Sequence, residues 1–272
     1  MKALLITCCL FCFIILKSSS QNSTYAFFYE ATFVSDTTER NTQGRDLMVL
    51  WSGENYSVFQ SYYAFVRDSI TQAASTGIST PNQSNIGEIL TKTFAVEKPA
   101  YLHIIHKDFI KNSITVYDKL FFDNFQYTQN ASGIQWKLHN EYKEHLGYNC
   151  QKATGTYSGR NYVAWFAEGI PVQDGPYVFT GLPGLIMEIE DEKSYFKYSL
   201  IALGHRNESL KELAYKNTIS LSKKDYFRLK KELYADVSKG LISKASNSIS
   251  AQDLKAIQER YNKVNNPMEL NP

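Results

Sequence analysis

Leu185-Ile186-Met187-Glu188-Ile189-Glu190, then the polar Asp191-Glu192-Lys193-Ser194, then the run from Tyr195 to Leu203, make the most legible pair of segments in the chain. Two largely apolar runs of strand length joined by four polar residues read as an antiparallel hairpin. Working back towards the N-terminus, Cys150 to Tyr157 and Asn161 to Ala167 join at Ser158-Gly159 and repeat the pattern. Strand signals also occur at Tyr101 to Ile105, at Ile114 to Phe122, and at Ile134, Trp136 and Leu138 behind an Asn130-to-Gly133 turn. Phe27, Tyr29, Ala31 and Phe33 alternate with Glu30 and Thr32, as in a half-buried strand. Leu47 to Trp51 and Tyr56 to Phe59 flank Ser52-Gly53-Glu54-Asn55, whose glycine and asparagine tolerate hairpin turns.

Between Tyr62 and about Leu90 the pattern loosens into Ser, Thr, Asn, Gln and Gly, which reads as an irregular, partly helical insertion. After Leu221 the composition turns to Lys, Glu, Leu and Ala. Tyr226, Leu229, Leu233 and Val237 recur at helical spacing behind a Ser222 or Asp225 start. A second helix is expected from about Ala251 to Val264, stopped by Pro267. The expected fold class is α+β, predominantly antiparallel: a curved meander sheet with C-terminal helices packed against it. Residues 1–20 read as a cleaved signal, 21–220 as the β domain with its insertion at about 62–92, and 221–272 as a helical segment on the same domain.

The leader reading rests on Lys2, the apolar run from Ala3 to Leu16, and Lys17 with three serines, with cleavage expected near Ser20–Gln21. About 20 apolar residues are needed to span a bilayer, and this run is shorter, so a soluble exported chain is expected. Removing Lys2 and Lys17 from the 29 basic residues leaves 27, equal to the 27 acids. A neutral mature chain offers no electrostatic footprint for nucleic acid. Cys8, Cys9 and Cys12 leave with the leader, so Cys150 has no disulfide partner, and the core must hold the fold. A lone thiol can be a nucleophile, a metal ligand or a buried small hydrophobe, and no histidine beside Cys150 in sequence activates it. The aromatic share of 14% favours β structure.

The chain carries no G-x-S-x-G elbow, no phosphate-cradling or dinucleotide glycine motif, and no H-E-x-x-H. His103 and His106 form an H-x-x-H, but on a strand an offset of three points them to opposite faces. His139, His145 and Cys150 meet as a zinc or copper site only if the chain folds back between them. Glu188, Glu190, Asp191 and Glu192 read as the solvated side of a hairpin or, alternatively, as a carboxylate cluster. Lys223, Lys224, Arg228, Lys230, Lys231 and Lys239 give the first C-terminal helix a basic side, diluted by Asp225, Glu232 and Asp236.

The most informative segment runs from Gly159 to Ile186. It reads as a buried aromatic strand containing Trp165 and Phe166, a crossover punctuated by Pro171, Gly175 and Pro176, and a rigid corner Gly181-Leu182-Pro183-Gly184 that launches Leu185 and Ile186. Pro183 fixes its own φ and pushes Leu182 towards an extended conformation, while Gly184 is free to take a positive φ. The corner either seats Leu182 and Leu185 in the core or presents them to a partner. Burial of Leu182 is expected.

The hexapeptide Gly181 to Ile186 is the motif that names the GLPGLI family, and the chain resembles that family elsewhere too. The matching segments are Tyr148-Asn149-Cys150-Gln151-Lys152-Ala153, Ala164-Trp165-Phe166, Ile170-Pro171, Gly175-Pro176-Tyr177 and Asn266-Pro267-Met268-Glu269-Leu270. The resemblance implies an exported protein of the periplasm or outer-membrane periphery, often encoded beside TonB-dependent receptors. It brings no catalytic residue, cofactor or metal. The expected role is an accessory or binding protein of the envelope, with a carrier of a small apolar or lipid-like ligand as the alternative and a Cys150-dependent enzyme or metal-binding protein as the second. Asp36-Thr37-Thr38 and Asp68-Ser69-Ile70 are similar to the O-glycosylation sequon of exported proteins in that phylum.

Overall fold

The computed structural model describes residues 24–39, 43–76, 91–131, 133–206, 215–241 and 249–271. The expected leader and most of the second half of the insertion lie outside them. Twelve strands form one sheet: β1 (Thr24–Val34), β2 (Gln43–Ser52), β3 (Tyr56–Ser61), β4 (Ile104–Asp108), β5 (Ser113–Leu120), β6 (Asp123–Asn130), β7 (Lys137–His145), β8 (Tyr148–Tyr157), β9 (Arg160–Ala167), β10 (Leu185–Asp191), β11 (Phe196–Arg206) and β12 (Thr218–Ser220). Helix α1 (Tyr62–Thr76) follows β3, and α2 (Lys223–Ala235) and α3 (Ala251–Asn262) close the chain around the single turn Ser238–Leu241.

The strand order is β12-β6-β5-β4-β3-β2-β1-β11-β10-β9-β8-β7, antiparallel throughout except where the three residues of β12 run parallel to β6. The expected single meander is therefore two, β1 to β6 and β7 to β11, joined where the first strand pairs with the eleventh. That joint is favoured because β1 gains a long partner on each side, from Thr24↔Arg206 to Phe33↔Phe196 and from Tyr25↔Ser52 to Val34↔Gln43. Its alternation then buries Phe27, Tyr29 and Ala31 in the main core.

Curvature brings distant strands together. β6 and β8 lie nine places apart in the order, which in a flat sheet is roughly 40 Å, yet the Gln129 side-chain amide donates to the Tyr157 hydroxyl at 2.9 Å. The main core fills the enclosed concave side. On the other side a smaller cluster of Ala26, Val49, Trp51, Val58 and Ile104 is covered by Tyr62 and Phe65 of α1, so part of the insertion is a packed helix. Ser222 caps α2 by accepting from the Asp225 backbone N–H, as the sequence implies, and Tyr226 is the side chain that α2 buries in the core.

Candidate functional site

The chain from 168 to 184 leaves β9 and crosses the concave side before returning as β10. Ile170, Tyr177, Val178, Phe179 and Leu182 are all buried in the main core. The Phe179 ring stacks edge-on against Tyr162 at 4.7 Å and against Tyr157 at 5.9 Å. The Tyr29 hydroxyl donates to the Ile186 carbonyl at 2.8 Å, and Ile186 N–H donates back to the Asp174 carbonyl at 2.9 Å. The crossover is thus the filling of the half-barrel.

The corner residues divide by environment. Leu182 is 2% exposed, Gly184, Leu185 and Ile186 are buried, and Gly181 and Pro183 face outward. The positive φ expected at Gly184 is present, at +159° and close to extended, and Gly181 shares it at +92°. Gly184 is extended, and its missing side chain matters through contact: a Cβ there would lie 2.2 Å from the Ala167 carbonyl oxygen. Gly175 is likewise filled by Ile186, whose side chain would meet an added Cβ at 2.7 Å. Phe166 and Pro176 are buried, whereas Pro171 is exposed.

Polar groups hold the crossover in place. Lys107 on β4 and Asp174 on the crossover are both 0% exposed, with Nζ 2.6 Å from Oδ1. The same Nζ donates to the Gly175 carbonyl at 2.5 Å, and Gly175 N–H donates to Oδ1 at 2.8 Å. Oδ2 of Asp174 is buried without a protein partner among the described residues. At the other end of the crossover, the fully buried carboxylate of Glu269 accepts from the hydroxyls of Tyr177 (2.6 Å), Tyr157 (3.2 Å) and Ser158 (3.0 Å), and Lys223 of α2 approaches to 2.5 Å. Tyr177 sits at φ +52°, a conformation unfavourable by roughly 1–2 kcal/mol for a residue with a Cβ, and its charge-assisted bond to Glu269 offsets this. Arg160 anchors the C-terminal strap by donating to Asn266 Oδ1, the Pro267 and Met268 carbonyls, and Asp191. Sequence reasoning named the strap as a resemblance but missed Lys107, Asp174, Arg160, Lys223 and Glu269 as partners. A weak signal was present, since Lys107 continues the inward alternation of Ile105 on β4.

Next to this network His103 lies between the rings of Tyr101 (5.0 Å) and Tyr177 (5.7 Å), with Nε2 buried and without a protein partner among the described residues. Burial lowers it to about 4, against the opposing pull of Asp118. Asp118 accepts from the Tyr226 hydroxyl and pairs with Lys230 at 3.1 Å. His106 stacks on Tyr117 on the opposite face from His103, as the strand offset requires. Lys223 and Lys230 both turn towards buried acids, which leaves the basic side of α2 weaker than its sequence implies.

The remaining candidates disperse. His139 Nε2 bonds the Thr154 hydroxyl at 2.7 Å and His145 Nε2 bonds the Leu200 carbonyl at 2.8 Å, and among the described residues no three of His, Cys, Asp and Glu converge on one point. Cys150 is 0% exposed, and burial pushes its thiol up while Lys143 pulls it down. The hairpin acids have separate partners: Glu188 with Lys143 and Lys197, Asp191 with Arg160, and Glu192 with the Asn161 amide.

Half-buried Trp165, which also packs against the main core, carries Lys143 Nζ 4.6 Å from its ring centre, bordered by the Lys143–Glu188 and Lys152–Glu141 ion pairs. An open groove of about 750 Å³ lies beside it, lined by Gln135, Lys137, Thr154, Thr156, Asn161 and Glu192. No helix among the described residues is long and apolar enough to cross a membrane.

A family model described as "Protein of unknown function (Porph_ging)" matches residues 157–188, the span from the end of β8 through the crossover into β10. No curated protein sequence matches. Two solved structures, "Structure of PNGF-II in P21 space group" and "Structure of PNGF-II in C2 space group", align with TM-scores of 0.51 and 0.50 at 12% and 13% identity. Each alignment covers 76% of this chain but only 33% and 32% of the other, so the chain spans about a third of the length of those proteins. At that identity the likeness is one of fold.

Proposed function

We propose that the protein is an exported accessory protein of the cell envelope that binds another envelope component through the outer face of its sheet. The GLPGLI resemblance suggests an outer-membrane TonB-dependent receptor as that component. The observation that carries the reading is the filled interior: Tyr177, Val178, Phe179 and Leu182 occupy the space that an apolar ligand would need, so the carrier reading has less support. The outer face around Trp165 offers an aromatic side chain of the kind that anchors protein interfaces, with the Lys143–Glu188 and Lys152–Glu141 ion pairs as a polar rim. The enzyme reading through Cys150 has little support either, because the thiol is buried and its pKa is raised. Affinity capture from detergent-solubilised envelopes tests the proposal. The intact exported protein is expected to retain an outer-membrane receptor, and Trp165→Ala, whose ring also packs on the core, to lose far more capture than its drop in melting explains. Retention of lipid alone would contradict it.

A further inference from the structure

We propose that Lys107 and Asp174 condense, within the folded protein, into an intramolecular isopeptide bond that fastens the crossover to β4. Both side chains are fully out of water, where a charged pair is tolerable only if its remaining donors and acceptors are met. They are not met. Nζ has two acceptors, Asp174 Oδ1 and the Gly175 carbonyl, so one ammonium proton has no protein acceptor among the described residues. Among the described residues no protein donor reaches Asp174 Oδ2.

The amide removes both deficits. One C–N bond forms between Nζ and Cγ of Asp174, and the Cγ–Oδ2 bond breaks. Oδ2 then departs as water with two of the three ammonium protons, and no oxidant or cofactor takes part. The oxygen that leaves is the one without a hydrogen bond. Oδ1 stays as the amide carbonyl, still accepting from Gly175 N–H at its present 2.8 Å, and the single remaining N–H keeps the Gly175 carbonyl, now 2.5 Å from Nζ. Gly175 N–H is also positioned to stabilise negative charge on Oδ1 as the nitrogen attacks. Burial lowers Lys107, which favours the neutral amine that attack requires. Holding the two groups 2.6 Å apart supplies the proximity that free amines and acids lack in water.

The test is mass spectrometry of the purified full-length exported protein after complete denaturation. The expected result is an intact mass lower by one water, with a tryptic map showing a branched peptide that joins the segments around Lys107 and Asp174 and no cleavage after Lys107. Lys107→Met and Asp174→Ala should each restore the full mass. Because the reading is taken on unfolded wild-type chain, it stands even if those variants fold poorly. Full wild-type mass with normal cleavage after Lys107 would overturn the proposal, as would a mass deficit that persists in Lys107→Met.

Discussion

Gly181 and Gly184 answer to different physical demands, and substitutions separate them. Gly181, at φ +92° and exposed, needs conformational freedom, so Gly181→Val should cost about 1–3 kcal/mol through backbone strain. Gly184 needs the absence of a Cβ. Gly184→Ala should cost a similar amount, roughly 1–3 kcal/mol, by forcing β10 away from the Ala167 carbonyl. Denaturant unfolding of both variants checks this, and a neutral Gly184→Ala would mean that the approach of β9 and β10 is looser than described. The rigid corner and the positive φ of Gly184 were legible here, but the tight contact with the Ala167 carbonyl was not, because a close backbone approach between strands leaves no mark on a single segment.

His103 gives a prediction with a sign. In the unfolded chain its imidazole takes up a proton near pH 6.5, and in the folded protein only near 4, because burial between Tyr101 and Tyr177 and the charge of Lys230 outweigh Asp118 and Glu269. Between those values the unfolded state binds more protons, so stability falls as pH is lowered from about 6.5 towards 4, by roughly 2–3 kcal/mol. His103→Phe should flatten that acid limb, as read by melting temperature at neutral pH and near pH 4.5. Cys150→Ala, by contrast, should cost about 1–2 kcal/mol through lost packing, with slow alkylation of the native thiol before it. Fast alkylation would mean an accessible thiolate.

Among the elements, those with a strong apolar period were legible: the β2–β3 and β10–β11 hairpins, the β8–β9 pair and the Ser222 start of α2. β6 and β7 were missed as full strands because they are polar. β6 turns only Phe125 and Tyr127 into the core, an alternation too short to read, and β7 is an edge strand with no buried residue. The C-terminal strap resembled a family motif without an evident physical task. Its task is to deliver Glu269 beneath the crossover, where two tyrosine hydroxyls and Lys223 converge. Glu269→Ala leaves those groups buried without their acceptor and should destabilise the protein by about 3–5 kcal/mol. Glu269→Gln keeps an acceptor and should cost less. Equal melting of wild type and Glu269→Ala would show that the strap is an appendage rather than a tie.

Over the whole molecule, the fold class could be read from period-two runs and turn chemistry, but the joint between β1 and β11 could not. That pairing links residues some 170 positions apart, and no local pattern encodes it. The same distance hides the site. Lys107 meets Asp174, and Glu269 meets Tyr157 and Tyr177, only after the sheet has curled and the crossover has entered it. Filling by the chain's own crossover is the central structural claim, and it makes Leu182 a core residue, whereas the proposed recognition is assigned to Trp165. The most direct test is to measure melting temperature and envelope capture on the same preparations of Leu182→Ala and Trp165→Ala. Leu182→Ala is expected to melt several degrees lower and to lose capture only in proportion to unfolding, while Trp165→Ala is expected to lose far more capture than its own drop in melting explains. Unchanged melting with abolished capture in Leu182→Ala would contradict the claim.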